Sequence, residues 1–341
     1  AFDDPDEAGA ILGRAQARLM ENDAREEEGR FIWEGAHDYV EWIGRMYERA
    51  EKGERFLGDI KTGFHQVDAI TGGHDKPEFV GICAPSSVGK TAFALSVAEN
   101  CAESGRMTAV FSIEMGQVRT ERRQLSSMSH VSISEIRRGN LLKSHIQRIM
   151  KKCNDLTERQ FPLWITGDVY TLNQICAKAQ WLKMRYGLEV LVIDYFQLID
   201  AEKTRGTKND ELEDISGTLK QLGKKLEIVI FLLAQFNQTG IKALQTGNPH
   251  PDELLTNLRG SGRLGNDLDC AIALWRDPID PATGKPKEVV SQIEYHGDMV
   301  KVVERHGMVF KQRDGYTERF EVPLLLDYIR FLDKDDEAAP F

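Results

Sequence analysis

The sequence has few cysteines and no long hydrophobic run. None of its five cysteines lies two or three positions from another, so neither a zinc knuckle nor a disulfide framework is predicted. No stretch reaches the roughly 18 uncharged apolar residues that a membrane-crossing helix needs. The acidic first residues also lack the basic start of a signal peptide. These absences exclude secreted and membrane-spanning classes and favour a soluble cytoplasmic protein with reduced thiols.

The chain also lacks an excess of positive charge, because its net charge is −10. Residues 1–30 carry −5 and residues 333–337 carry −3, which leaves −2 for the rest of the chain. The acidity is therefore concentrated at the two ends, and the middle can still form a local basic channel for a nucleic acid. The composition, 41% hydrophobic and 29% charged over 341 residues, is typical of a globular protein with a large core.

Two helices are predicted before the main body of the chain. Residues 8–20 have a narrow apolar stripe at helical spacing, and the polar segment 21–30 after it resembles a linker. The stripe could pack on a neighbouring subunit or on its own domain, and the pattern favours neither. Residues 39–50 have a wider apolar face, which predicts a helix packed in a core. The chain begins with alanine instead of an initiator methionine, so we expect a fragment or a processed product.

From residue 78 onward, apolar strands alternate with helical patterns. This alternation predicts an α/β fold, a mostly parallel sheet with helices on both faces. The region 268–332 is richer in strand patterns and predicts further strands of the same sheet plus a hairpin. The predicted strands are 79–83, 107–113, 189–193 and 227–233, and the predicted helices are 90–104, 117–129, 143–158, 171–186 and 209–225.

A phosphate-binding loop is the strongest chemical signal. It lies directly between a predicted strand and a predicted helix, where backbone N–H groups and the helix N-terminus face phosphate oxygens. Lys90 would reach the β- and γ-phosphates, and Thr91 would supply a hydroxyl to Mg²⁺. The usual first glycine is replaced by alanine. The predicted nucleotide-binding residues are Ala84, Pro85, Ser86, Ser87, Val88, Gly89, Lys90 and Thr91.

Polar side chains follow three other predicted strands. Ligands lie at the carboxyl ends of parallel strands. Asp194, which ends its strand, is therefore a candidate to hold Mg²⁺ together with Thr91. Glu114 is a candidate general base that polarises the attacking water. Gln235, which both donates and accepts hydrogen bonds, is a candidate sensor of the γ-phosphate. Taken singly, each residue could instead be an ordinary strand-end or turn residue.

The order of these motifs resembles that of the DnaB-type replicative helicases, RecA-like ring ATPases whose members include phage primase-helicases. The resemblance covers about residues 56–332, and residues 8–20 look like the family's linker helix. It implies a RecA-like ATPase domain at 56–332 and a linker helix with an acidic linker at 1–30. A helical adaptor at 31–55 and an acidic tail at 333–341 complete the organisation. The similar motifs are Thr-Gly-Phe at 62–64, Thr-Gly-Gly at 71–73, Phe-Ser-Ile-Glu-Met at 111–115, Asp-Tyr-Phe-Gln-Leu-Ile at 194–199, Ala-Gln-Phe-Asn at 234–237, Leu-Arg-Gly-Ser-Gly at 258–262 and Phe-Lys-Gln-Arg-Asp-Gly at 310–315.

The resemblance also implies residues beyond the phosphate loop. Lys311 and Arg313 match the basic pair that family members insert into the adjacent subunit's site, although the pattern alone would also suit a solvated surface hairpin. Arg276 matches a position that stacks on the nucleotide base in some relatives. Gln238 departs from the family, which often has arginine there.

The DNA-binding prediction concerns a glycine-rich loop similar to the family's pore loop. Its backbone N–H groups and one arginine are suited to following a phosphate backbone without reading bases. By composition alone it could be a flexible glycine loop. Bacterial replicative members usually carry an acid where this chain has its first glycine, and phage-type members resemble this chain. The predicted DNA-binding residues are Arg259, Gly260, Ser261 and Gly262.

Together, the motifs and the resemblance predict an ATPase that assembles as a homo-oligomeric ring, a hexamer.

 It would hydrolyse ATP or another nucleoside triphosphate with Mg²⁺, move along single-stranded DNA and separate the duplex during replication. A primase and a helicase loader are the implied partners, in the cytoplasm of a bacterial cell, and a phage or plasmid gene could encode the chain. Since neither a primase module nor the bacterial N-terminal helical domain precedes the linker, we expect a truncated chain or a compact phage or plasmid version. The alternatives are a RecA-fold recombinase or clock-type ATPase, and a nucleotide-dependent loader or adaptor that does not unwind DNA.

Overall fold

The computed structural model describes residues 31–53, 58–201, 207–259, 262–277 and 287–333. The chain divides into two compact units, 1–57 and 58–341. The predicted helix at 8–20 and the tail residues 334–341 lie outside the described residues. Within the described ranges, no helix is long and apolar enough to span a membrane.

The first unit contributes one described helix, α1, at Ile32–Glu51. The helix predicted over residues 39–50 therefore exists, but the prediction that its apolar face is packed in a core is wrong. Tyr39, Val40 and Trp42 are exposed. The physical reason is that a helix cannot cover its own apolar face, so an apolar period predicts the helix but not a surface that packs on it.

The second unit is an α/β domain whose elements alternate along the chain. Its helices are α2 His65–Thr71, α3 Lys90–Glu103, α4 Gln117–Met128, α5 Ile133–Arg138, α6 Lys143–Glu158, α7 Leu172–Tyr186, α8 Lys208–Leu226, α9 Gln238–Gln245, α10 Pro251–Thr256 and α11 Gly262–Asp267, with a 3₁₀ turn at Phe196–Leu198. Its strands are β1 Phe79–Cys83, β2 Thr108–Ser112, β3 Leu163–Thr166, β4 Val190–Asp194, β5 Val229–Ala234, β6 Cys270–Trp275, β7 Ser291–Tyr295, β8 Asp298–Gln312, β9 Glu318–Leu325 and β10 Arg330–Phe331.

These strands form one sheet of ten strands. Its order is β10-β9-β8-β6-β1-β5-β4-β2-β3, with β7 paired to β8. The six strands from β6 to β3 are parallel to one another, whereas β7, β8, β9 and β10 pair antiparallel. The predicted mostly parallel sheet and its extension by later strands are therefore confirmed.

Side chains of the parallel strands alternate between two hydrophobic cores. In β1, Phe79 and Cys83 enter one core, and Val80 and Ile82 enter the other. The first core also contains buried residues of α7 and α8, and the second contains those of α2 and α3. Burial on both faces explains why these strands have continuous apolar sequences, and it confirms helices on both faces of the sheet.

The antiparallel strands lie next to the loop that follows β1. A Cβ atom added to Gly89 in that loop would be 3.0 Å from the ring of Phe331 in β10. The buried carboxylate of Glu99 in α3 accepts hydrogen bonds from Arg330, at 2.7 and 2.8 Å. Strand β10 therefore supports both the loop that follows β1 and α3, the helix that begins at the end of that loop.

Several short elements are absent from the sequence predictions. Strand β3 is an edge strand of four residues, three of them only partly buried, so it lacks the apolar run of a central strand. The helices α5, α9 and α10 span six to eight residues, which is too short for a clear helical period. Longer helices have stronger local signals, such as the capping box of Thr171 and Gln174 at the start of α7.

Candidate nucleotide-binding site

The loop 84–89 connects the end of β1 to the start of α3, the strand-to-helix turn that the sequence predicted. Gly89 has φ of +119°, and Ser87 has φ of +64°, so both lie in the left-handed region that side chains other than glycine disfavour. Ala84, where the motif usually has glycine, is fully buried in the core. Its methyl group therefore packs inside the domain, and the replacement is compatible with the loop.

Lys90, the first residue of α3, is 8% exposed. Its Nζ lies 3.4 Å from the carbonyl oxygen of Ala234, to which it donates a hydrogen bond, and 4.5 Å from the centre of the Tyr195 ring. Burial lowers the pKa of Lys90, and the charge of Asp194 opposes this shift. The amine is thus held at the base of the loop, where an anionic ligand would favour its charged form.

Thr91 and Asp194 come together from α3 and the end of β4. The Thr91 hydroxyl donates to Oδ2 of Asp194 over 2.9 Å. The other carboxylate oxygen, Oδ1, is buried and has no hydrogen-bond partner among the described residues. Burial raises the pKa of Asp194, against the effect of Lys90. A hydroxyl beside a carboxylate with one unsatisfied buried oxygen is a donor set that suits Mg²⁺.

One cavity of about 210 Å³ brings the other predicted groups to the loop. Glu114, two residues after β2, and Gln235, one residue after β5, both line it. The strand order β1-β5-β4-β2 explains this convergence, because parallel strands end at the same edge of the sheet. The remaining lining residues are Pro85, Ser86, Ser87, Gly89, Lys90, Thr91 and Arg123.

Arg123 is the cavity residue that the sequence reasoning missed. Its Nη1 lies 3.5 Å from Sδ of Met115, and its Nε is buried without a hydrogen-bond partner in the part of the chain that the structure describes. Burial lowers its pKa, and Asp194 and Glu114 act in the opposite direction. The sequence feature that could have indicated Arg123 is its position in α4 next to Gln124, one of the buried polar residues of that helix.

The predicted DNA loop begins beside the cavity. The backbone N–H of Arg259 donates to the carbonyl oxygen of Gln235 over 2.7 Å, and its guanidinium lies 3.4 Å from Oε1 of the same residue. Gln197 donates to the carbonyl oxygen of Arg259 over 2.9 Å. Gly260 and Ser261 lie outside the described residues, and Gly262 begins α11.

Lys311 and Arg313 lie where the parallel strands begin, at the edge of the sheet opposite to the phosphate loop. Val80, near the start of β1, pairs with Cys270, and Cys270 pairs with Gln312 at the end of β8. The two basic residues are therefore separated from their own phosphate loop by the length of β1, roughly 15 Å. Lys311 donates to the carbonyl oxygens of residues 265 and 266, at 2.6 and 3.2 Å. Half-exposed Arg313 pairs with Asp269 at 3.0 Å.

Arg276 lies beside the phosphate loop. Its guanidinium donates to the carbonyl oxygen of Ser87, and its Nε is 3.6 Å from Oε1 of Glu288. The predicted contact with a nucleotide base stays a prediction, since the contact in the structure is with the loop backbone.

The chain is similar to known proteins of one family. Residues 59–333 match the family described as DnaB-like helicase C terminal domain. The chain is 26% identical to "Replicative DNA helicase DnaC" of Bacillus subtilis, over 98% of this chain and 70% of that protein. It is also 26% identical to "Replicative DNA helicase DnaB" of Geobacillus stearothermophilus, over 98% of this chain and 69% of that protein.

A solved structure has a similar fold. It is described as "The Structure Of A DnaB-Like Replicative Helicase And Its Interactions With Primase" and aligns with a TM-score of 0.70 at 24% identity, over 94% of this chain and 72% of that chain.

Proposed function

The chain belongs to the DnaB-like helicase C-terminal domain family, and we propose that it is the ATP-driven motor of a replicative DNA helicase. It hydrolyses the β–γ phosphoanhydride of ATP or another nucleoside triphosphate, moves along single-stranded DNA and separates the duplex. The observation that carries this proposal is the cavity in which Lys90, Glu114, Gln235 and Arg123 meet one loop.

In this proposal, the phosphate loop binds the nucleotide through its backbone N–H groups and through Lys90. Lys90 loses hydration when it is buried, so a phosphate oxygen replaces contacts that water would otherwise supply. Arg123 lies in the same cavity with an unsatisfied Nε. We assign Arg123 to a phosphate oxygen as well, because its buried Nε has no hydrogen-bond partner among the described residues and a guanidinium is suited to an anion.

Magnesium fits the pair of Thr91 and Asp194. The Thr91 hydroxyl and the free Oδ1 of Asp194 would hold the ion or its water shell. When bound, Mg²⁺ neutralises negative charge that develops on the phosphate oxygens. The residues of this chain then have the separate tasks of activating water and sensing the γ-phosphate.

Glu114 is assigned as the general base. It lines the cavity that also contains Lys90, so its carboxylate can accept a proton from a water directed at the γ-phosphate. Gln235 lies on the same cavity and is assigned as the γ-phosphate sensor.

The contact between Gln235 and Arg259 supports coupling of the nucleotide to DNA. Two hydrogen bonds join these residues, so movement of Gln235 after hydrolysis would move the start of the DNA loop. Arg259 is assigned to the phosphate backbone of single-stranded DNA, together with Gly260, Ser261 and Gly262. Gln238 stands where the family often has arginine. The direct contact between Gln235 and Arg259 offers a different route for the coupling.

Lys311 and Arg313 are assigned to the nucleotide of a neighbouring subunit. Their place at the opposite edge of the sheet makes them remote from their own loop, whereas a head-to-tail ring would bring that edge to the next subunit. The exposed apolar face of α1 also supports assembly, because an uncovered face of this kind is suited to a protein surface. We therefore propose a homohexameric ring that acts in the cytoplasm.

A primase is the proposed partner, on the basis of the similar helicase whose description names interactions with primase. A helicase loader is the second proposed partner, and it rests on the resemblance of the chain to its family.

Strand displacement on a forked DNA substrate with ATP and Mg²⁺ tests the proposed function. We expect unwinding by the wild-type chain and none by Lys90→Ala. Hydrolysis without strand displacement would favour a recombinase or a clock-type ATPase. Binding of nucleotide and DNA with neither hydrolysis nor displacement would favour a loader or adaptor.

A further inference from the structure

A buried arginine contacts the back of the phosphate loop. Arg305, in the middle of β8, is 1% exposed, and its Nε donates to the carbonyl oxygen of Val88 over 3.1 Å. The adjacent carbonyl oxygen, that of Ser87, accepts a hydrogen bond from Arg276. Two consecutive peptide groups of the loop are therefore held by two arginines from distant parts of the chain.

Glu288 joins the two arginines. Its Oε1 lies 3.1 Å from Nη1 of Arg305 and 3.6 Å from Nε of Arg276. Arg305 also donates to the carbonyl oxygen of Glu304 over 3.1 Å. The guanidinium of Arg305 thus reaches the loop, the carboxylate and its own strand at once, through donors spread over a rigid plane that the compact ammonium of a lysine lacks.

The planarity of the peptide bond gives these contacts a consequence. In a trans peptide the C=O and the following N–H point in opposite directions. When Arg305 holds the Val88 carbonyl, the N–H of Gly89 must point away from Arg305, and Gly89 lines the nucleotide cavity. In the same way, the contact of Arg276 with Ser87 fixes the direction of the Val88 N–H.

The loop needs such support because its backbone is locally unfavourable. Ser87 has φ of +64°, in a region that disfavours residues with a side chain. Alternating backbone handedness of this kind makes a nest of N–H groups that binds anions, but only while the unfavourable conformation is maintained.

We propose that Arg305 is a positioning residue that, with Arg276 and Glu288, holds the phosphate loop in its nucleotide-binding conformation before the nucleotide arrives. The arginines contact carbonyl oxygens and leave the N–H groups for the ligand. This proposal rests on the proposed function, in which the loop binds a nucleoside triphosphate.

Calorimetric titration of the full chain with Mg-ATP and with Mg-ADP tests the proposal. Arg305→Met should weaken the binding of both nucleotides by the same factor, about tenfold, because the competent loop becomes a minor conformation. At saturating ATP, kcat should stay close to the wild-type value while KM rises. Arg305→Lys should also weaken binding, and Glu288→Gln should do so by about threefold, as expected for a partly screened ion pair.

Arg148→Met is the matched control. Arg148 pairs with Asp298 of the same strand β8 at 2.6 Å, so its loss removes a comparable ion pair without a contact to the phosphate loop. We expect a lower unfolding temperature for both Arg148→Met and Arg305→Met, and weaker nucleotide binding for Arg305→Met alone.

Wild-type affinity in folded Arg305→Lys and Glu288→Gln would overturn the proposal, and these two variants decide if Arg305→Met does not fold. A loss for ATP but not for ADP would also overturn it, since the arginine would then act at the γ-phosphate. Failure of the wild-type chain itself to bind ATP would contradict the proposed function instead.

Discussion

The two edges of the parallel sheet carry different halves of the proposed chemistry. At the edge where the strands end, Lys90 and Glu114 line one cavity with the phosphate loop. At the edge where the strands begin, Lys311 and Arg313 contact backbone carbonyls and Asp269. The first edge has a loop for phosphate, and the second has basic side chains roughly 15 Å from that loop.

Under the proposed function, this difference predicts that one chain alone is a poor hydrolase. The cavity edge contains the residues that we propose bind the nucleotide and activate water, but Lys311 and Arg313 are absent from its lining. The Arg313 side chain is 54% exposed in its ion pair with Asp269, and screening by water weakens a pair with such an exposed partner. A phosphate of another subunit could therefore compete successfully for Arg313.

The largest expected effect concerns the edge without a phosphate loop. Arg313→Ala should lower ATP turnover about 10³-fold or more, the effect of arginine fingers in other phosphoryl-transfer enzymes. Nucleotide affinity should change little, because Lys90 and Thr91 are intact. Turnover and calorimetric titration measure the two quantities, and a turnover near that of the wild type would remove Arg313 from the mechanism.

A smaller loss is expected at the cavity edge. Glu114→Gln keeps the shape of the side chain but removes the base, and should slow hydrolysis by about 10²-fold. ATP affinity should be retained. Single-turnover hydrolysis measures the chemical step directly, and an unchanged rate would return Glu114 to an ordinary strand-end residue.

The DNA loop should respond more weakly. Arg259→Ala should reduce affinity for single-stranded DNA about equally for all sequences and lower the salt slope by about one, because one phosphate contact is lost. Fluorescence anisotropy at several salt concentrations measures both. A loss that depends strongly on sequence would contradict contact with the backbone.

The smallest effect is expected for the partner of Arg313. Asp269→Asn removes the charge that holds the guanidinium but leaves an acceptor oxygen, so turnover should fall by only about two- to fivefold. A steady-state ATPase assay is sufficient. Asp269 also accepts a hydrogen bond from the backbone N–H of Phe79 over 2.9 Å and pairs with Lys220 at 3.2 Å, so the unfolding temperature of the variant is the control. A loss as large as that of Arg313→Ala at an unchanged unfolding temperature would mean that Asp269 has a role in the reaction beyond orienting the arginine.

The sequence was informative where a site depends on strand ends. Glu114, Asp194 and Gln235 each directly follow or end an apolar run, and the rule that parallel strands end at one edge was enough to predict their convergence. Most of the parallel sheet, its longer helices and their boundaries followed from the same alternation of patterns.

The arginines around the loop could not be predicted in this way. Arg123 depends on which side of α4 faces the cavity, and Arg305 depends on the register of β8 and contacts a residue 217 positions away. Neither is part of a local pattern. The exposed face of α1 was also unpredictable, because an apolar stripe does not indicate whether its partner belongs to the same chain.

Mixing two inactive variants tests the central claim most directly. Arg313→Ala chains keep intact phosphate loops, and Lys90→Ala chains keep intact arginines, so a mixed ring contains interfaces with both. At equal amounts, ATP hydrolysis should return to about a quarter of the wild-type rate, since random head-to-tail assembly gives that share of complete interfaces. No recovery in rings that demonstrably contain both chains, with a merely proportional loss when wild-type chains are diluted by Lys90→Ala chains, would contradict the account.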